Sequence, residues 1–188
     1  MKKISAVLFS LCIFASSFAQ KPDYKKTQAL GVSFFLNDFK AASDIRSHGL
    51  INVLDNHNFF KTSQMNPGVA VHYLSGLSNH ADFIATLGGS FLDYPNDNFS
   101  SGSANLLLEA TAALNLKLLT DHYWVTPFID LGVGASKYKK YVGAFVPVGL
   151  GLQVNFLDDA FLMINSQYRI PVTENASYHF YHSIGVAG

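Results

Sequence analysis

Five polar residues could form a site within an otherwise apolar sequence: Glu109, Lys117, Asp130, Gln167 and Arg169. Each lies where polar and apolar residues alternate, on the polar side of the alternation. Such side chains neutralise one another as ion pairs when they are enclosed, because an unpaired buried charge is unstable. When hydrated, they line a conducting or gated pore. We predict the enclosed arrangement, centred on Arg169 with Glu109 and Asp130 as its acceptors.

The dipeptide His182-Ser183 is the one candidate for nucleophilic catalysis. A nucleophilic serine needs a base within hydrogen-bond reach and a further group that orients the base. Adjacent residues of a strand point to opposite faces, so in a strand His182 could not activate Ser183. We therefore predict no lipase and no other enzyme.

Other chemistry has no support in the sequence. The motifs of zinc proteases, thiol redox proteins, serine hydrolases and nucleotide-binding loops do not occur. The 7 histidines are scattered and do not recur at metal-ligand spacing. We predict neither a metal site nor a cofactor.

The composition excludes several classes of protein. Lys+Arg and Asp+Glu number 13 each, and only 14% of residues are charged, while 49% are hydrophobic and 14% aromatic. Disordered chains are richer in charge and poorer in aromatic residues. Nucleic-acid-binding proteins need a basic surplus that this chain lacks, so we predict no nucleic-acid partner.

The first residues have the pattern of a secretory signal peptide. Lys2 and Lys3 precede an apolar stretch from Ala6 to Ala15, and small residues stand at the cleavage positions before Gln20. We assign residues 1–19 to a cleaved signal, residues 20–28 to a short periplasmic segment and residues 29–188 to one domain. The single cysteine, Cys12, leaves with the signal.

Strict alternation with a period of two predicts β-strands in the rest of the chain. It is longest over Leu106–Leu118, where a helix would fail to gather the polar residues onto one stripe. The eight predicted strands are Leu30–Asn37, Val69–Ser75, Asp82–Phe91, Leu106–Leu118, Phe128–Ser136, Ala144–Phe156, Leu162–Ile170 and Tyr178–Val186.

The polarity of the two strand faces favours a membrane. One face is apolar over several strands and lacks Lys and Glu, whereas the other carries Gly, Ser, Thr, Asn, Gln and a few charges. Lipid outside and a polar interior explain both faces, and the strands are long enough to cross a bilayer. We predict an all-β, eight-stranded antiparallel up-and-down transmembrane β-barrel. The predicted lipid-facing residues are Leu108, Leu114, Val133, Val148 and Leu150.

The connections and aromatic residues fit the same topology. Three short turns alternate with longer loops, of which Lys40–Met65 is the longest and has room for a short helix near Ala41–Arg46. Short turns are periplasmic in outer-membrane barrels. Aromatic residues near the strand ends predict two girdles at the headgroup level, with Tyr123, Trp124, Phe156, Tyr138 and Tyr178 as members.

Several segments resemble the OmpA-type eight-stranded outer-membrane barrel, the N-terminal barrel of OmpA-family proteins. These segments are Leu87–Phe91, Tyr123–Pro127, Gly132–Tyr138, Gly149–Phe156 and Asn165–Arg169. The resemblance implies a Gram-negative cell envelope, an outer-membrane location and a structural role that anchors the membrane to the cell wall, with at most a small or plugged porin-like pore. The implied partners are outer-membrane lipid and, through a downstream domain, peptidoglycan. Barrels that end their chain usually finish on an aromatic residue, whereas this sequence stops at Ala187-Gly188, so we expect either a fragment or a missing downstream domain.

A second hypothesis is a soluble periplasmic or secreted β-barrel that binds an apolar ligand. It requires the opposite polarity, with the apolar face inward. Glu109, Lys117, Asp130 and Arg169 would then all point outward. The direction of these side chains therefore separates the two hypotheses.

Overall fold

The computed structural model describes residues 25–55, 61–95, 104–156 and 160–188. These residues form a closed, eight-stranded antiparallel barrel, which confirms the predicted fold class. The predicted signal peptide, residues 1–19, lies outside the described residues. The strands are β1 Ala29–Asp38, β2 Asn66–Ser78, β3 Ala81–Leu92, β4 Asn105–Lys117, β5 Val125–Tyr138, β6 Tyr141–Asn155, β7 Phe161–Pro171 and β8 His179–Ala187.

The barrel closes where the first strand meets the last. Each strand pairs with its neighbour in sequence, and β1 pairs with both β2 and β8. Leu30 and Gly188 complete the seam, since the amide of each donates to the carbonyl of the other at 3.1 and 3.0 Å. Closure leaves no strand edge unpaired, as a hydrocarbon environment requires. Among the described residues, no helix has the length and hydropathy needed to span a membrane.

The polar and apolar residues that alternate along the strands point alternately into the barrel and out of it. On β4, Leu108 and Leu114 point outward, while Glu109 and Lys117 are buried inside. The five predicted lipid-facing residues, Leu108, Leu114, Val133, Val148 and Leu150, all lie on the outer surface, with 39–66% of each residue exposed.

This orientation contradicts the hypothesis of a soluble barrel with an apolar interior. That hypothesis requires Glu109, Lys117, Asp130 and Arg169 to point outward, yet all four are at most 4% exposed inside the barrel. An apolar exterior around a polar interior is the arrangement of an outer-membrane barrel.

Inward-facing glycines let aromatic rings fit within the narrow barrel. Gly134 pairs directly with Phe145, and Gly151 pairs with Phe128. A Cβ atom at Gly134 would lie 2.4 Å from the Phe145 ring, and one at Gly151 would lie 2.2 Å from the Phe128 ring. Each phenyl ring therefore covers the glycine on the adjacent strand.

The longest loop is partly helical. Helix α1, Phe39–His48, follows β1, and the predicted short helix near Ala41–Arg46 is confirmed. Asp38 caps α1, because its carboxylate accepts from the Ala41 amide at 2.8 Å. Gly49 has a φ of +83° and ends the helix. Helix α2, Leu50–Asp55, and a 3₁₀ turn, Thr62–Gln64, precede β2.

We expect Leu114→Arg to destabilise the barrel in lipid by about 2–4 kcal/mol, because a lipid-facing cation within the bilayer must be desolvated. Leu118→Arg is the matched control, since Leu118 is exposed just beyond the end of β4. There the loss should be about 0–1 kcal/mol, because the side chain reaches the interface. Urea unfolding in phospholipid vesicles measures both values. Equal stability of Leu114→Arg and the wild type would show that Leu114 does not face lipid.

Candidate functional site

An ion pair crosses the barrel interior toward its long-loop end. Arg169 Nη1 on β7 lies 2.6 Å from Glu109 Oε2 on β4. Both side chains are almost completely buried. The two strands lie three positions apart around the barrel, so the pair joins distant parts of the wall. The structure thus brings together the two residues placed at the centre of the predicted network.

Four further residues surround this pair. His179 Nε2 lies 3.3 Å from Glu109 Oε1, and Asn37 Nδ2 donates to Glu109 Oε2 at 3.4 Å. Gln167 Oε1 accepts from Arg169 Nη2 at 3.5 Å. The Arg169 guanidinium also lies 3.8 Å from the centre of the Tyr181 ring. We call these residues the Arg169 cluster: Asn37, Glu109, Gln167, Arg169, His179 and Tyr181.

His179 and Asn37 were missing from the predicted network. His179 is the direct cross-strand partner of Arg169, and Asn37 is near the end of β1. Both lie where predicted strands met loops, so their faces were not assigned from the sequence. Residues two apart on a strand point to the same face, so His179 lies inside whenever Tyr181 does.

Asp130 is not an acceptor of Arg169, and that part of the prediction is wrong. Its carboxylate is fully buried beside Gln167, and among the described residues no ion pair within 4.0 Å joins it to Arg169, although the two charges attract each other. Asp130 is level with Gln167 along the strand register, since it pairs with Gly149 and Gly149 pairs with Gln167.

Lys117 belongs to a different cluster, which corrects its predicted place between Glu109 and Arg169. Its Nζ lies 2.9 Å from Asp82 Oδ1 and 2.6 Å from Asp121 Oδ2. Lys26 Nζ approaches the same carboxylates, at 3.5 Å from Asp121 and 3.9 Å from Asp82. We call Lys26, Asp82, Lys117 and Asp121 the Lys117 cluster. Two cations and two carboxylates balance one another at the short-turn end of the barrel.

An apolar group, here called the apolar layer, lies beside buried polar residues on the strands between the two clusters. Along β4, the inward residues between Glu109 and Lys117 are Thr111, Ala113 and Asn115, and along β3, Ile84 follows Asp82. Ala113 and Ile84 pack in one buried apolar group whose other members are Ala29, Leu74, Phe161, Met163 and Ala187. The predicted single network is therefore two networks with an apolar layer between them.

Lys26 shows that the segment before β1 enters the barrel mouth. Its side chain is buried, and Nζ lies 3.6 Å from the centre of the Phe161 ring. Burial lowers the pKa of Lys26 to about 8, although Asp121 and Asp82 favour the charged form. Gly76 makes room for this segment, because a Cβ atom there would lie 2.5 Å from the Lys26 carbonyl oxygen. Nothing in the sequence of residues 20–28 indicated this contact.

The opposite end of the interior is closed by aromatic residues. Tyr94 and Tyr138 stack with ring centres 5.3 Å apart, and Phe39 meets Tyr94 edge to face. Leu92 and Leu107 complete this buried group. Burial raises the pKa of Tyr94. We call these five residues the aromatic cap.

The aromatic cap corrects the predicted girdle. Tyr138 points inward, because it shares the parity of Phe128 and Asp130 on β5. Trp124 and Phe156 are exposed at the short-turn end, as a girdle requires. Tyr178 is partly exposed at the other end, and Tyr123 is partly buried.

The described interior therefore contains the aromatic cap, the Arg169 cluster, the apolar layer and the Lys117 cluster. It also contains buried polar residues such as His72, whose ring nitrogens lie 2.6 Å from Ser33 Oγ and 2.9 Å from Thr86 Oγ1. Among the described residues, no three histidine, cysteine or acidic side chains gather as a metal site would require. What the arrangement can do chemically is neutralise charge and fill space.

Solved structures share this fold. The N-terminal barrel domain of OprF from Pseudomonas aeruginosa matches with a TM-score of 0.51 and 9% identity, over 87% of this chain and 98% of that one. Ail, the attachment invasion locus protein of Yersinia pestis, matches with a TM-score of 0.53 and 10% identity, over 86% and 97%.

Neisserial surface protein A matches with a TM-score of 0.50 and 10% identity, over 85% of this chain and 94% of that one. No protein-family model and no curated protein matches the sequence. At these identities the likeness concerns the fold. The chain therefore folds as an eight-stranded barrel of the outer-membrane type, like the barrel of OprF.

Proposed function

We propose that this protein is a structural outer-membrane barrel with a closed interior, which anchors a larger cell-envelope protein in the membrane. The Arg169–Glu109 ion pair carries the proposal. It spans the interior toward the long-loop end, and the side chains around it leave both partners almost completely buried. A conducting pore would instead keep such charges hydrated.

The layered interior supports closure over its whole length. Water or an ion moving along the axis would have to displace the stacked rings of the aromatic cap, the Arg169 cluster and the apolar layer. At the short-turn end it would also have to separate the four charges of the Lys117 cluster. An eight-stranded barrel is narrow enough for side chains to fill it. We infer that the interior stiffens the barrel rather than conducting.

The anchoring part of the proposal draws on the fold and on the resemblance to the OmpA family. In OprF, a barrel of this fold is an N-terminal domain, so it serves as one part of a longer protein. By analogy, this barrel would hold a downstream domain beneath the outer membrane. Its partners would be outer-membrane lipid and, through that domain, peptidoglycan.

We expect the native protein to have a mass greater than that of residues 1–188 and to sediment with purified cell-wall sacculi. An antibody against the barrel, applied to whole cells and to sacculi washed in a mild detergent, measures both properties. A chain of residues 1–188 expressed in the same cells is the control, and it should stay with the membrane. If the native protein were recovered only with the membrane, the anchoring role would be refuted. The proposal that the barrel interior is closed would not be affected by that result.

We expect Arg169→Met to lower the free energy of unfolding by about 3–5 kcal/mol, because Glu109 would remain buried without its cation. The double variant Glu109→Met with Arg169→Met should be clearly more stable than Arg169→Met alone, since no unpaired charge remains. Urea unfolding in vesicles gives the three values. In planar bilayers, Arg169→Met should also raise the conductance above that of the wild type. If Arg169→Met were as stable as the wild type and conducted no better, this pair would not act as a plug.

We expect Gly76→Ala to expel the Lys26 segment, because the added methyl group would overlap its backbone. Trypsin should then cut after Lys26 about fivefold faster or more in the refolded barrel, measured by mass spectrometry. Cleavage after Lys25, which is exposed, serves as the internal reference. Gly89→Ala is the matched control, since a Cβ atom there has no neighbour nearer than 3.5 Å. Equal cleavage in both variants would show that the segment does not depend on Gly76.

A further inference from the structure

The turn between β5 and β6 carries three exposed lysines at the long-loop end of the barrel. Lys139 and Lys140 form the two-residue turn, and Lys137 lies on the outer face of β5 just before it. Among the described residues, no carboxylate lies within 4.0 Å of any of these ammonium groups. Three like charges so close together repel one another, so an anion from outside the chain would stabilise them. We call these three residues the lysine hairpin.

Other exposed cations at this end of the barrel are already engaged. Lys40 Nζ on α1 lies 2.6 Å from Asp44 Oδ1. The guanidinium of Arg46, on the same helix, lies 3.9 Å from the centre of the Tyr178 ring. An external anion therefore gains more from the lysine hairpin than from the cations of α1.

The backbone of Lys139 has a conformation that favours glycine. Its φ is +54°, and among the described residues no other residue apart from glycine has a positive φ. Two-residue hairpin turns usually place Gly, Asn or Asp where φ is positive, because a larger side chain is strained there. Lys139 Nζ lies 5.7 Å from the centre of the Tyr138 ring, near the limit of a cation–π contact. Local strain that the fold does not need points to a function for this lysine.

Lys137 lies on the lipid-facing side of the wall. Its direct cross-strand partners are Leu108 on β4 and Val142 on β6, which are 40% and 57% exposed on the outer surface. A charged residue beside lipid is costly unless its ammonium group reaches the membrane interface, and the long lysine stem allows this. Soluble anions can approach Lys139 and Lys140. A ligand that contacts Lys137 together with Leu108 and Val142, however, must be a lipid.

We propose that the lysine hairpin binds the phosphorylated headgroup of a lipopolysaccharide molecule. Lipopolysaccharide forms the external leaflet of outer membranes, and its sugar headgroup carries phosphates above the acyl chains. Lys139 and Lys140 bind the phosphates as point charges, and Lys137 binds at the junction of headgroup and acyl chains. The acyl chains then cover Leu108 and Val142. This site lies on the outer wall, so it depends neither on the closed interior nor on the anchoring role.

Phosphate recognition is tested by native mass spectrometry of the refolded barrel without divalent cations. The protein is presented with equal amounts of diphosphoryl lipid A and of the same lipid A after removal of both phosphates. The wild type should prefer the diphosphoryl form by about tenfold or more, and Lys139→Gln with Lys140→Gln should bring the two forms close to equality. Lys40→Gln is the matched control, because it removes one exposed lysine from the same end of the barrel, and it should keep the preference. Equal binding of both forms by the wild type, or an equal loss in the control, would overturn the proposal.

Lys139→Gly separates lipid binding from folding. Glycine relieves the positive φ, so the urea midpoint should be equal to or higher than that of the wild type, while the preference for diphosphoryl lipid A falls about threefold or more. A lysine that served only the fold would give the opposite result, a lower midpoint with unchanged lipid binding, and that result would overturn the proposal. Heat-modifiable migration on a gel verifies that each variant is folded.

The lipid part of the proposal is tested at Lys137. Lys137→Gln should lower the retention of diphosphoryl lipid A about threefold or more. Inorganic phosphate in large excess should not displace diphosphoryl lipid A from the wild type, because it contacts neither Leu108 nor Val142. Displacement by inorganic phosphate, with unchanged retention in Lys137→Gln, would show a site for soluble anions and would overturn the lipid assignment.

Discussion

Closure of the sheet is the constraint on which the rest of this structure depends. A strand edge exposed to hydrocarbon would leave amides and carbonyls unpaired, so β1 must meet β8. Eight strands then enclose an interior that only side chains can fill. The outer residues must be apolar because they face lipid, and the inner ones have to fit a narrow space. The paired glycines and phenylalanines of β5 and β6 show how closely the interior is fitted.

Most charges inside this narrow barrel are matched by charges of the opposite sign. The Lys117 cluster contains two cations and two carboxylates, and Arg169 meets Glu109 at 2.6 Å. Desolvation offsets much of the attraction in each pair, so the ion pairs contribute less to stability than their short distances suggest. Removal of one partner is far more harmful, because the other charge stays buried. Buried ion pairs therefore hold the interior in one arrangement more than they stabilise it.

The sequence was sufficient to predict the strands and their faces, since a period of two over eight segments has one simple explanation. It was also sufficient to place Arg169 and Glu109 inside.

The sequence could not predict which charges are level with one another, because the register between strands depends on contacts that the alternation does not encode. Asp130 was assigned to the wrong neighbour for that reason, whereas the separation of Lys117 from Glu109 along one strand was already visible in the sequence. The error at Tyr138 was avoidable, since its parity with Asp130 already placed it inside. Lys26 could not be predicted, because it precedes the first strand and has no alternation of its own.

The two faces of β7 and β8 connect the interior to the membrane surface. Gln167 and Arg169 point inward, while Ser166 and Tyr168 alternate with them and point outward. Arg169 meets Glu109 across the interior, while its chain neighbour Tyr168 contacts Tyr178 and Phe180 on the outer face. The filled interior restricts the backbone of β7, and the same backbone sets the spacing of Ser166 and Tyr168 on the outside. One strand thus carries buried charge on its inner face and aromatic contacts on its outer face, because successive residues point to opposite sides of the sheet.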